Sequence, residues 1–206
     1  IQYLKRINEK RQKAVLITLF SLQDKKDPQY GTCLLLKENG NLIDHAPVLK
    51  NVLVADAQGA LLNQTSSFKN YISNDHNLTA FIEMIRPPVS VIIIGAGNDV
   101  IPVVDMAEIL GWETTVVDGR ANYAKKERFV SACQVLVSKP EQVLEQIEID
   151  EQTVFLLMTH NYNYDMAMLK QLLQKSISYI GMLGPKKKRE RMLNELKDEG
   201  LIFTEQ

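Results

Sequence analysis

The sequence predicts an α/β protein, with a Rossmann-like doubly wound parallel sheet in its C-terminal half and a small α/β domain before it. Three observations carry this expectation. Beyond Arg86-Pro87-Pro88, apolar strand-like segments alternate with amphipathic helical stretches, and strands apolar on both faces need a sheet covered on each side. The first of those strands runs into a Gly-x-Gly turn and a helix, VIIIGAGNDVIP at 91–102, the layout of a nucleotide-binding crossover. The prolines lack amide donors and fit neither helix nor sheet interior, so the boundary falls there, with domains over 1–86 and 87–206.

In the first domain, Leu4 and Ile7 suggest a short helix, and AVLITLF at 14–20 has the branching and apolarity of a buried strand. TCLLLK at 32–37 is a second strand. Asn39-Gly40, which readily supplies a tight turn's positive φ, precedes a short Leu42-Ile43 strand. Leu49, Val52, Leu53, Ala57, Ala60 and Leu61 recur at helical spacing, which predicts a helix over 48–62. Segments 67–73 and 78–85 form a hairpin around Asn74-Asp75-His76-Asn77. In the second domain strands are expected at 90–94, 114–118, 134–137, 153–158 and 178–182. The intervening helices present Met106, Ile109 and Leu110, then Val143, Leu144 and Ile147, then Met166, Leu169 and Leu173, and finally Met192, Leu193 and Leu196.

A net charge of -1 over 206 residues provides no general attraction to nucleic acid. No apolar run nears the roughly 18 residues that span a bilayer, and the chain opens without a signal pattern, so a soluble cytoplasmic protein is expected. Cys33 and Cys133 lie far apart with no metal-ligand spacing, which fits a reducing compartment. No metal site or catalytic nucleophile stands out.

Three loops can carry chemistry, all at strand ends where such sheets bind ligands. In the first, Gly95 permits a tight turn and Gly97 a close backbone approach, with Ala96, Asn98 and Asp99 between and after them. A dinucleotide fold wants a third glycine where Val100 stands, and Asp99 puts a carboxylate near the phosphate position. Asp99 also suits a helix N-cap, with Pro102 in the first turn. Asp118, 21 residues beyond Gly97, is placed to hold ribose hydroxyls, and Arg120 follows it. In the second loop, MTHNYNYD at 158–165, Thr159, His160, Asn161 and Asp165 cluster. His160 can serve an anion or a proton transfer, or the loop can simply cap a helix through Asn161 or Asn163. In the third, GMLGPKKKRERM at 181–192, the turn at Gly184 and first-turn Pro185 precede Lys186, Lys187, Lys188 and Arg189. Cations at a helix N-terminus oppose its dipole, so either an anionic ligand relieves them or they form a solvated face.

The segments GAGNDVIPVVDMAEILGWETTVVDGR, MTHNYNYD and YIGMLGPKKKRERM together resemble the Rossmann half of the XdhC/CoxI family, over nearly all of 78–201. Its members are accessory proteins for xanthine dehydrogenase and carbon monoxide dehydrogenase. The resemblance implies a chaperone that binds the molybdenum cofactor, a molybdopterin carrying a phosphate or a nucleotide. It also implies partnership with a cysteine desulfurase for sulfuration and with the apo molybdenum hydroxylase for delivery. On that reading Gly95, Ala96, Gly97, Asn98, Asp99, Asp118, Arg120, Thr159, His160, Asn161, Gly184, Lys186 and Lys188 line the cofactor site. The alternative is an NAD(P)-dependent oxidoreductase, with Arg120 reaching a 2'-phosphate and His160 relaying a proton, or a nucleotide-sensing domain. The first domain is similar to the family's smaller domain only in KAVLITLF and GTCLLLKENGN. Its Gly-Ser-x-x-Arg loop and Gly-Gly-Cys segment are missing, and Cys33 does not replace the latter, which is the pattern of a degenerate copy within a longer protein. Phe81 and Ile85 are candidates for a homodimer contact.

Overall fold

The computed structural model describes residues 11–22, 29–46 and 48–201. The chain divides into two compact units, Ile1–Pro87 and Pro88–Gln206, at the proline pair. The helix expected around Leu4 and Ile7 lies outside the described residues.

The first unit is an antiparallel sheet in the order β3-β2-β1-β5-β4. Its strands are β1 (Ala14–Phe20), β2 (Gly31–Lys37), β3 (Leu42–Asp44), β4 (Ser67–Ser73) and β5 (His76–Ile85). β1 is central, and its alternate residues Val15, Ile17 and Leu19 bury against α1 (Lys50–Asn63) through Leu53, Ala57 and Ala60. The helix begins two residues later than its apolar spacing suggests, because Leu49 takes a left-handed conformation before it. β5 likewise starts at His76 rather than at 78. Asn74 and Asp75 both adopt positive φ, 48° and 61°, and close a two-residue turn with Ser73 paired to His76, the geometry whose twist matches the strands. Phe81 is half-buried and stacks on the more exposed Phe68 across β4 and β5.

The second unit is the expected parallel sheet, in the order β10-β9-β6-β7-β8. β6 (Ser90–Ile94) is central and buried throughout, flanked by β7 (Glu113–Asp118) and β8 (Gln134–Val137) on one side and β9 (Thr153–Leu157) and β10 (Tyr179–Met182) on the other. Its side chains alternate between two cores. Ile92 and Ile94 meet α3 (Tyr162–Leu172) and α4 (Lys186–Asp198) through Met168, Leu172, Met192 and Leu196. Val91 and Ile93 meet α2 (Ile101–Ile109) through Val104. The strand order reverses at β6, which creates a crevice between the β6 and β9 exits.

Two expectations fail here. Met106, Ile109 and Leu110 are exposed, Ile109 to 84%. Val100, just before the helix, and Val104 and Ala107 within it form the buried row, so the larger residues fall on the opposite side of a 3.6-residue repeat. Residues Pro140–Glu145 form a 3-10 helix instead of an α-helix. Val143 alone of these is fully buried, and two tight turns are enough to seat it.

Candidate functional site

Gly95 leaves β6 with φ 122°, and a Cβ there would lie 2.4 Å from the Met158 carbonyl oxygen. The exits of β6 and β9 therefore cross in backbone contact, which no side chain at 95 allows. Gly97 is required differently. Its φ is an ordinary -67°, but a Cβ would stand 2.3 Å from Asp99 Oδ1. The Asp99 carboxylate is thus folded back over Gly97. It caps no helix, since neither the 3-10 turn Asn98–Val100 nor α2 has a side-chain cap. Instead Asp99 Oδ2 pairs with His160 Nε2 at 2.9 Å, across the crevice from one loop to the other. His160 is held for this with a left-handed φ of 56°, uncommon for a residue with a Cβ.

Asp118 ends β7 buried, and all its acceptor directions are taken. Oδ2 accepts from the Ala96 amide at 2.9 Å and from Arg120 Nη2 at 2.8 Å, while Oδ1 accepts from the Arg120 amide and Nε, each at 2.9 Å. Burial pushes this carboxyl up, but the hydrogen bonds from Arg120 and from the Arg120 and Ala96 amides outweigh it and hold the pKa low. Arg120 also lies 4.0 Å over the Tyr123 ring, so its guanidinium is fixed on two sides. Asp118, expected to meet ribose hydroxyls, and Arg120, expected to meet a 2'-phosphate, thus spend their hydrogen bonds on each other and on the Ala96 and Arg120 amides.

The second and third loops are tied together. Asn161 accepts from the Asn163 and Tyr164 amides and caps α3, as one of the two readings of that loop has it. Thr159 Oγ1 donates to Asp165 Oδ1 at 2.6 Å, and Lys188 Nζ donates to Asp165 Oδ2 at 2.6 Å. Asp165 is fully buried. The unfavourable cation at the start of α4 is therefore relieved from within the chain, so Lys188 is not a free rim charge. Its stem lies against Gly184, whose φ of 134° reverses the chain. Pro185 sits at the N-cap in extended conformation rather than in the first turn. Lys186 faces solvent, 3.6 Å from Glu190, and Lys187 and Arg189 pair with no carboxylate among the described residues.

Three contributors were not legible in the sequence. Arg128 donates to the Ala96 carbonyl at 2.7 Å and to Asn98 Oδ1 at 2.8 Å, fastening the Gly-rich turn from 30 residues away. Tyr123 stacks beneath Arg120. Tyr164 packs against Gly119 and donates to the Ser138 carbonyl at 2.7 Å, and burial, with the Asp118 and Glu141 charges, pushes its phenol up to about 12. Of the side-chain pairings at this edge, the one between Lys188 and Asp165 left a trace in the sequence, because the cations at 186–189 oppose the helix dipole and ask for an anion. Cys33 is buried in the first unit, where burial and then the Asp44 charge push its thiol up, the environment of an inert cysteine. Among the described residues no group of three or more His, Cys, Asp or Glu can hold a metal ion, and no helix is long and apolar enough to cross a membrane.

Residues 91–206 match the family model of the XdhC Rossmann domain. A curated relative from Bacillus subtilis (strain 168), described as a probable xanthine dehydrogenase subunit, is 30% identical over 120 residues, covering 58% of this chain and 36% of its own length. The chain thus spans little more than a third of that relative. A crystal structure described as a xanthine dehydrogenase from Bacillus halodurans aligns with 94% of this chain and 84% of its own, at TM-score 0.56 and 20% identity. That last likeness is one of fold.

Proposed function

Because the chain belongs to the XdhC Rossmann-domain family, we propose that it is an accessory factor for maturation of a xanthine dehydrogenase-type enzyme and that it holds the molybdenum cofactor for that client. The observation that carries the choice of ligand is the Asp99 carboxylate over Gly97. It stands where the backbone approaches a pyrophosphate in dinucleotide sites, and the Asp118 and Arg120 side chains are engaged with each other. Both features weigh against NAD(P).

The residues present suit a ligand with a polar neutral end and an anionic end. Gly95, Ala96 and Gly97 keep the turn free of bulk, and Asp99 and His160 offer an acceptor and an imidazole beside it. Lys186 and Lys187, at the start of α4, supply positive charge for the phosphate end. When bound, the cofactor supplies the redox chemistry of the client enzyme. This chain's part is to bind it, orient it and keep it until transfer. A cysteine desulfurase is a further partner on this reading, and no residue among those described marks its docking site.

The test is co-purification. Expressed with an active molybdopterin pathway, the protein should carry a pterin-derived molecule identifiable by mass spectrometry, and should raise the activity of the client enzyme when added to its apo form. Bound NADP with hydride turnover would replace the proposal with the oxidoreductase reading.

A further inference from the structure

We infer that the Gly95–Gly97 turn receives the hydrogen-bond-donating edge of a 2-amino-4-oxo heterocycle, with Asp99 as the specificity-determining acceptor and His160 as the residue that positions it. This rests on the reading that the β6 and β9 exits hold a cofactor, and it goes further by saying which end of the ligand enters first.

The turn is built against anions. A phosphate over Gly97 would meet the Asp99 carboxylate, because Oδ1 occupies the space a Cβ would fill. The cations nearby are already committed. Arg120 grips Asp118, Lys188 grips Asp165, and Arg128 is directed to the Ala96 carbonyl and to Asn98. None of these can neutralise an incoming phosphate without abandoning its present partner.

A donor is welcome at the same place. His160 must carry its hydrogen on Nε2 to meet a carboxylate, and its single bond goes to Oδ2. Oδ1 then has no hydrogen-bond partner among the described residues, and Oδ2 keeps a second lone pair. A carboxylate held this way can accept two parallel N–H bonds, as it does from guanidinium. The neutral heterocycles that offer such a pair have a ring N–H beside an exocyclic amine, which is the 2-amino-4-oxo edge shared by pterins and guanine. Adenine presents a ring acceptor at that position, and nicotinamide has no ring N–H. The buried Val100 in place of a third glycine costs such a ligand nothing, because no pyrophosphate needs to settle on the helix.

The experiment titrates the protein with pterin, guanosine, lumazine (the dioxo analogue without the 2-amino group) and pyrophosphate, in the wild type, Asp99→Asn and His160→Gln. Thermal melts confirm that both variants fold. Pterin or guanosine should bind at least about tenfold more tightly than lumazine, and their ranking identifies the source of the edge. Asp99→Asn should weaken that heterocycle by about 10- to 100-fold, erase the preference over lumazine and improve pyrophosphate binding. His160→Gln should lose less, since it loosens the acceptor without removing it. The inference is overturned if neither heterocycle binds the wild type, if pyrophosphate displaces the bound heterocycle and binds more tightly than it, or if Asp99→Asn keeps the preference. Cofactor that co-purifies equally with the wild type and Asp99→Asn also overturns it while leaving the maturation role standing. A heterocycle bound through Asp99 in a protein that never carries the cofactor does the reverse.

Discussion

The ion pair between Asp165 and Lys188 makes an asymmetric prediction. Asp165 has no solvent exposure, whereas the Lys188 side chain keeps 18%. Removing Lys188 as Lys188→Met strands a buried carboxylate with only the Thr159 hydroxyl to satisfy it, and breaking a buried pair in this way costs about 3–5 kcal/mol. Removing the acid as Asp165→Ala leaves an ammonium on a flexible stem that already touches water. Its loss is then the Thr159 bond and one charge-assisted bond, about 2 kcal/mol. The double variant should be no worse than Lys188→Met, because no charge remains uncompensated. Urea unfolding followed by fluorescence of Trp112 reads the second unit, since the chain has 1 Trp and it lies there. Finding Asp165→Ala as damaging as Lys188→Met, or both costing under about 1 kcal/mol, would refute the reasoning.

Gly95→Ala should destabilise the second unit by about 3 kcal/mol, from a strained φ and a Cβ pressed on the Met158 backbone, read by the same urea curves. Because the folded pKa of Asp118 is depressed, its contribution is full above the unfolded carboxyl value and disappears as pH falls through the folded one. Arg120→Leu should therefore move the acid limb of stability to higher pH, and an unmoved limb would remove Arg120 as the cause. In the first unit, Asp75→Gly should raise the melting temperature, because the turn needs a left-handed conformation there that glycine adopts freely, with a gain of about 1 kcal/mol at most.

Periodicity carried the architecture because strand and helix patterns are local. VIIIG could be read as a central strand entering a turn from its own five residues, and the positions of β7 to β10 followed from the same apolar signal within a residue. α2 escaped this logic. Its sequence has apolar residues on every side, and which row faces the sheet depends on the angle at which Val100 enters, a tertiary fact. The candidate residues themselves were legible as types and places, while their partners were not. His160 and Asp99 are separated by 61 residues and Lys188 and Asp165 by 23, so each pair exists only once the strand order is known. The basic run at 186–189 resembled a waiting anion site for that reason.

The three charge pairs have a common consequence for how the edge of the sheet can work. Asp118 with Arg120 fixes the β7 exit onto the Ala96 amide, Asp99 with His160 joins the β6 and β9 exits, and Asp165 with Lys188 joins those of β9 and β10. The Asp118–Arg120 and Asp165–Lys188 pairs neutralise charges that would otherwise repel or attract a guest indiscriminately, and all three pairs remove freedom from a loop before any guest arrives. Preorganisation of this kind favours recognition by fixed acceptors over attraction by net charge. The exposed Lys186, Lys187 and Arg189 stand apart from it, on long stems that can follow a phosphate through different poses. On the proposed function, a factor that first holds a cofactor and then releases it to another protein would gain from that division. The specific end would be held by rigid groups whose bonds form or break together, and the charged end by groups that a client's own basic residues could replace one at a time.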